Sequence, residues 1–253
     1  MNQTNTDQNN TEVFRDTQDM LNTAQHFHRA GKLQEAEDLY RKILDQEPHN
    51  PDATHLMGLV ALQVGKLELS REFLNTAIEL KDNDPVYYAN LSTVYYMQND
   101  REKAKELLNQ ALKLAPNYAD AHANLGILLK EEDNMEESRQ HLATAINLGI
   151  REVDTITTLA QVNLNLGNLD KAENLAQSAY EMNQEQMEAY EIMVRSLCAQ
   201  NRPMEAISWG QALKDRAPEY PANKELLDMA YTEAGLPELA EFQDLYGPDM
   251  DAD

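Results

Sequence analysis

The chain has 253 residues, 42% of them hydrophobic, with 44 acidic against 21 basic side chains and a formal net charge of −23. Nucleic acid is excluded as a partner, because binding it needs clustered Lys and Arg to displace counterions, and an anionic membrane surface is disfavoured for the same reason. The lone cysteine, Cys198, leaves no intrachain disulfide and no thiolate metal cluster. No apolar run approaches the length of a membrane span.

Residues 1–10 (MNQTNTDQNN) are polar and expected to form a disordered tail. They show neither the basic start nor the apolar segment of a secretory leader, so the expected location is cytoplasmic, in a bacterial style of protein. Asn9 with Glu12 three places on has the form of a capping box. Val13, Phe14, Met20, Leu21, Ala24 and Phe27 follow helical spacing to Gly31. The first helix is therefore expected to begin ahead of residue 17.

From there one pattern returns every 34 residues. Steps of 34 from Ala36 land on Ser70, Ala104, Ser138, Ala172, Ala206 and Ala240, all small. From Met57 they land on Leu91, Leu125, Leu159, Met193 and Leu227, and from Ile43 on Ala77, Ala111, Ala145, Ala179 and Leu213, all apolar. Three registers in step at one period mark an internal repeat array rather than a single globular core. Each unit holds two helical stretches joined by a short polar or glycine turn. Two antiparallel helices approach closely only where side chains are small, which suits Gly58, Ser92 and Gly126 on the first helix and the Ala/Ser register on the second. Larger residues fill the layer between successive pairs, since one pair alone cannot bury its apolar face.

In chain order the units are 17–50, 51–84, 85–118, 119–152, 153–186 and 187–220, followed by a truncated seventh, 221–246. Pro51 and Pro85 open the second and third units, and Pro203 and Pro237 suit the first turn of a second helix. The third unit carries Tyr87, Tyr88, Tyr95 and Tyr96. The fourth has a charge run at its inter-helix turn, and the fifth follows Gly149-Ile150, where a change of superhelical pitch is expected. Cys198 is expected to be a half-buried, inert thiol. The seventh unit would end in a helix displaying Leu239, Phe242, Leu245 and Tyr246, before an acidic tail, 247–253. That face reads either as a closing cap on the array or as a docking face, including one for a second copy of the chain.

These residues carry a family resemblance. In the third unit Tyr88, Leu91, Tyr95, Ala104, Leu108, Ala111 and Pro116, and in the fourth His122, Leu125, Gly126, Ser138, Leu142 and Ala145, resemble the tetratricopeptide repeat (TPR) pattern. Ile150 stands where proline is usual, and Asn163 and Gly210 where large residues are usual. The resemblance covers roughly 17–236 and implies an all-α, right-handed superhelical solenoid of antiparallel helix pairs, expected over 11–246. In that family the first helix of each pair lines a concave groove, and its sixth position often carries asparagine. Here that position reads Asn22, Leu56, Asn90, Asn124, Thr158, Ile192 and Leu226, in part similar to the asparagine ladder of the O-linked N-acetylglucosamine transferase repeats.

The resemblance implies a groove with Asn22, Asn90 and Asn124 offering amides to an extended peptide, since an amide both donates and accepts. His55, Leu59 and Leu62, then Thr93, Tyr96 and Met97, then Ile127 and Lys130, are expected to form its floor, with Asp52 and Asp120 at the edge. The expected partner is a protein or peptide, neutral to basic, with an aliphatic anchor, bound at about −8 kcal/mol, near micromolar. The cationic cradle that grips chaperone tails is missing, for Leu21, Gln25, Asp120 and Ala123 stand at its places.

Catalysis is not expected. Phosphate-loop, dinucleotide, H-E-x-x-H and G-x-S-x-G signatures are lacking. No metal or cofactor is expected: His26 and His28 point to different faces, and pairing of His28 with His55 across adjacent first helices is disfavoured. The leading expectation is a non-catalytic protein-binding scaffold. Its alternatives are an accessory recruiter for a separate transferase and a self-assembling unit using the terminal helix. The stretch from His28 to Gly58 resembles repeat regions that precede bacterial glycosyltransferase, sulfotransferase and hydroxylase domains.

Overall fold

A computed structural model describes residues 16–237. Within them are thirteen α-helices and no strand. They are α1 (Thr17–Arg29), α2 (Leu33–Gln46), α3 (Pro51–Gln63), α4 (Leu67–Leu80), α5 (Pro85–Met97), α6 (Arg101–Leu114), α7 (Ala119–Glu131), α8 (Met135–Asn147), α9 (Val153–Asn165), α10 (Leu169–Met182), α11 (Met187–Ala199), α12 (Pro203–Arg216) and α13 (Asn223–Glu233). None is long and apolar enough to cross a membrane. The tail at 1–10, the last helix with Leu239, Phe242, Leu245 and Tyr246, and the acidic end at 247–253 lie outside the described residues.

The helix boundaries follow from local chemistry. The Asn50 side-chain oxygen accepts from Ala53 N–H at 2.9 Å, with Pro51 at the first helical position, and Asp84 caps Val86 N–H ahead of Pro85 in the same way. Asp100 caps Lys103 N–H at 3.1 Å. Asp16 has an extended backbone and its carboxylate accepts from Asp19 N–H, so α1 begins at Thr17; Val13 and Phe14 lie outside the described residues.

The turn inside each pair needs one residue in the left-handed region. Gly31, Gly65, Asn99, Asp133, Gly167, Asn201 and Gly235 all have φ between 60° and 74°, and each stands 34 residues from the next. Only glycine, asparagine and aspartate enter that region readily, so this register stops every first helix at the same place.

The chain divides into two compact units, 1–115 and 116–253. In each, helices pack on their chain neighbours, and first helices of adjacent pairs also meet: α3 with α5 in the first unit, and α7 with α9, α9 with α11 and α11 with α13 in the second. The first unit buries Tyr40, Ile43, Leu74, Leu91 and Val94. The second buries Leu142, Val162, Ile192, Leu197 and Leu213.

Three departures from the repeat pattern have local explanations. Asn163, buried, donates to the Leu159 carbonyl at 2.8 Å and accepts from Asn168, so its amide is spent on the backbone of α9 and on the turn that follows. At Gly210 an added Cβ would stand 2.8 Å from Leu227 Cδ2, so the volume missing there is supplied by α13. Between α8 and α9, Gly149 takes φ 113° and the Arg151 guanidinium donates to the carbonyls of Ile146 and Ile150, which closes the junction without a proline.

Candidate functional site

In the first unit the first-helix face opens into a cavity of about 300 Å³ lined by Gln25, His28 and Arg29 of α1, Tyr40 of α2, and Leu56 and Leu59 of α3. Leu56 and Leu59 are half-buried and give it an apolar floor. His28 Nε2 lies 3.0 Å from Gln63 Oε1, an oxygen that can only accept, so the ring carries its proton on Nε2. Its Nδ1 then faces the Tyr40 hydroxyl at 3.5 Å. Burial pushes the Tyr40 phenol up to about 12, against the opposing charge of Arg29, so it is a neutral donor at any ordinary pH. Arg29 is exposed, and its Nε donates to the Gln25 carbonyl at 3.3 Å.

A second cluster joins α3, α4 and α5. Asn90 donates from Nδ2 to His55 Nε2 at 2.8 Å, and the His55 ring stacks on Tyr87 with centroids 4.5 Å apart. Only a neutral His55 can accept there. Burial, outweighing the pull of Asp84 and Asp52, lowers its pKa to about 4. The Tyr87 hydroxyl donates to Asp52, and burial followed by that bond raises its pKa. Lys81 bridges Asp84 at 2.8 Å and lies 5.5 Å from the Tyr87 ring centre.

The structure thus separates the predicted groove residues. His55 is only 6% exposed, so it stands behind Asn90 rather than on the surface, and one amide hydrogen of Asn90 is already committed to it. Leu59, Leu62 and Thr93 are half-buried; Tyr96 and Met97 are 38% and 53% exposed at the end of α5. Asn22 is exposed and accepts from Gln18 at 3.1 Å. In the second unit Asn124 and Lys130 are half-buried on α7, and Ile127 packs against the cluster of Leu142, Leu159 and Val162.

Sequence reasoning missed Arg29 and Tyr40 as cavity walls. It also missed Arg195, which binds Glu191 and Glu225 at 2.9 Å each, with the Tyr220 hydroxyl donating to Glu191 at 3.0 Å. The signal for Arg195 was present: steps of 34 from Gln25 pass through Leu59, Thr93, Ile127 and Gln161 to Arg195.

Comparisons with known proteins agree with this architecture. Three family models described as tetratricopeptide repeat match residues 27–93, 85–118 and 157–221. A search of the curated proteins found no match. Among solved structures, the chain is similar to YrrB, a TPR protein with an unusual peptide-binding site, at 22% identity and TM-score 0.63, covering 70% of this chain and 94% of that one. It is also similar to pilF of Pseudomonas aeruginosa, at 16% identity and TM-score 0.75 over 83% of this chain and 95% of that one. PilW, a widely conserved type IV pilus biogenesis factor, matches at 14% identity and TM-score 0.70 over 85% and 100%. Helix pairs of 34 residues, small residues in step on both helices, and three repeat models along the sequence have one explanation: the chain belongs to the tetratricopeptide repeat family.

Proposed function

We propose that the chain is a non-catalytic scaffold that holds an extended segment of a partner protein on the first-helix face of its repeats. The coarser part follows from the fold, which is that of protein–protein interaction scaffolds. The observation that supports the finer part is the cavity against α1 and α3. Its apolar floor, Leu56 and Leu59, has the size for an aliphatic side chain, and polar groups ring it. Exposed Tyr96 and Met97 extend the apolar surface at the end of α5. The peptide-binding site for which YrrB is described is consistent with this use of the fold.

The segment that fits is apolar at its anchor and neutral to basic beside it. Asp52 keeps an exposed carboxylate within the first unit. Asn90 presents its carbonyl oxygen and one free amide hydrogen to a peptide backbone. The expected affinity is near micromolar, about −8 kcal/mol.

The test uses the purified chain as bait, beside an Asn90→Ala variant and a Leu56→Ser/Leu59→Ser variant, each checked for native helicity. The captured segment is synthesised and titrated against all three by calorimetry. A loss of about tenfold or more in both variants supports the reading, since a lost Leu contact is worth at least that. Equal affinity for all three would move the site off this face.

A further inference from the structure

In the seam between α7 and α8 two histidines replace an apolar pair. Steps of 34 from His141 land on Leu39, Phe73, Leu107, Leu175 and Trp209, all large and apolar. Steps from His122 land on Met20, Thr54, Tyr88, Ile156 and Tyr190 up to the sixth repeat. There the two registers face each other as Tyr190 and Trp209, with ring centres 5.5 Å apart. In the fourth repeat the same two places bring His122 Nδ1 within 2.8 Å of His141 Nδ1, with ring centres 5.0 Å apart.

The proton positions follow from the partners. His122 Nε2 lies 3.0 Å from the Pro116 carbonyl oxygen, which accepts, so His122 carries its hydrogen on Nε2 and a lone pair on Nδ1. His141 must then donate from Nδ1, which leaves its Nε2 open. A first proton goes to His141 Nε2 and keeps the ring-to-ring bond, now charge-assisted. A second proton has only His122 Nδ1 to bind. It would place two N–H groups and two positive charges face to face at hydrogen-bond distance, and the bond is lost.

We propose that the His122–His141 pair is a proton-operated latch on the α7–α8 seam, closed with neither or one charge and opened by the second proton. Among the described residues, the charges that act on His141 are those of His122, across the seam, and Glu137, one turn earlier on α8. Burial and His122 hold the His141 ring below the usual imidazole range, while Glu137 pulls the other way. A Tyr–Trp or Ile–Leu pair has nothing that titrates at acid or neutral pH, so this response belongs to the fourth repeat. Asn124 and Ile127 stand on the same helix, so opening also disturbs the first-helix face there. That consequence rests on the proposed peptide-binding reading; the latch does not.

The experiment is hydrogen exchange followed by mass spectrometry on the full chain, at matched intrinsic exchange, from about pH 7 to about pH 4, which reaches below the usual imidazole range because the second proton binds beside a charge. The expected result is exchange over 119–147 faster by about fivefold at the acid end, the factor carried by the loss of one net hydrogen bond. In His141→Leu, the residue found at that register in three other repeats, the acceleration disappears. If that variant does not fold, His122→Tyr/His141→Trp copies the sixth repeat and replaces it. Acceleration that persists in the variant, or none in the parent chain, overturns the latch. Titration of the ring nitrogens by NMR adds an independent check: two coupled steps support the pair, and two independent single steps overturn it.

Discussion

Ser138 Oγ donates a 2.6 Å hydrogen bond to the main-chain carbonyl oxygen of Gly126, twelve residues earlier on the facing helix. Ser70 occupies the same register opposite Gly58, yet its buried Oγ has no partner among the described residues. The repeat therefore uses one residue type in two energetic situations. Ser138→Ala is expected to lower stability by about 1 kcal/mol, the net worth of a buried hydrogen bond. Ser70→Ala removes an unsatisfied hydroxyl and restores the alanine found at 36, 104, 172 and 206, so it should be neutral or stabilising. Urea denaturation of the two variants in parallel checks this; equal losses would contradict the assigned partners.

Gly126 itself is fixed by the close approach. A Cβ there would meet Leu142 Cγ at 2.6 Å and the Leu142 main-chain nitrogen at 3.1 Å. At Gly58 the tightest neighbours are side-chain atoms of Leu74, at 2.9 Å. Alanine gains about 1 kcal/mol over glycine inside a helix, whereas overpacking costs about 1–3 kcal/mol. The clash should win at Gly126, because a main-chain atom cannot rotate aside. Gly126→Ala is expected to be the more damaging of the two substitutions, by about 1 kcal/mol. A lower urea midpoint for Gly58→Ala than for Gly126→Ala would refute that ranking.

His55 should impose an acid limit on the first unit. Its folded pKa of about 4 lies below the ordinary 6.5, so the unfolded chain binds the extra proton between those values. Its contribution is therefore fully present above pH 6.5 and falls as the pH drops towards 4. The full displacement corresponds to about 3 kcal/mol. His55→Phe keeps a ring to stack on Tyr87 and removes the titration. Stability measured from pH 7 to pH 4 should fall less steeply in that variant, and an unchanged slope would show that the ring is not held neutral.

Cys198 is buried near the end of α11, and burial raises its thiol pKa. Native protein should react with a disulfide reagent far more slowly than protein in urea, since the thiolate forms only when the helix end opens. Reaction at the rate of a free thiol would place that end in an open state.

Trp209, the single tryptophan, meets the rings of Tyr180 and Tyr190 edge-on at 5.0 and 5.5 Å. Such pairs add about 0.5–1.5 kcal/mol each beyond the area they bury. Trp209→Leu should cost about 2 kcal/mol in urea denaturation, and a negligible loss would mean the rings only coexist there.

The sequence alone determined the period, the small residues on both helices and the large ones between pairs, because an equal step between repeats puts the same packing demand on the same register. It also held the turn register from Gly31 to Gly235, since few residues adopt a left-handed backbone. The tertiary structure decided what those registers do not encode. His55 shares a helix face with Leu59, but burial against the next pair's Tyr87 puts it behind Asn90. His122 and His141 look unrelated nineteen residues apart until helices α7 and α8 bring their rings together. Arg29 becomes a cavity wall only when Leu56 and Leu59 arrive beneath it from the following pair. Periodicity fixes the face on which a side chain lies; depth and partner depend on atoms from other helices, and those distances exist only once the pairs have packed.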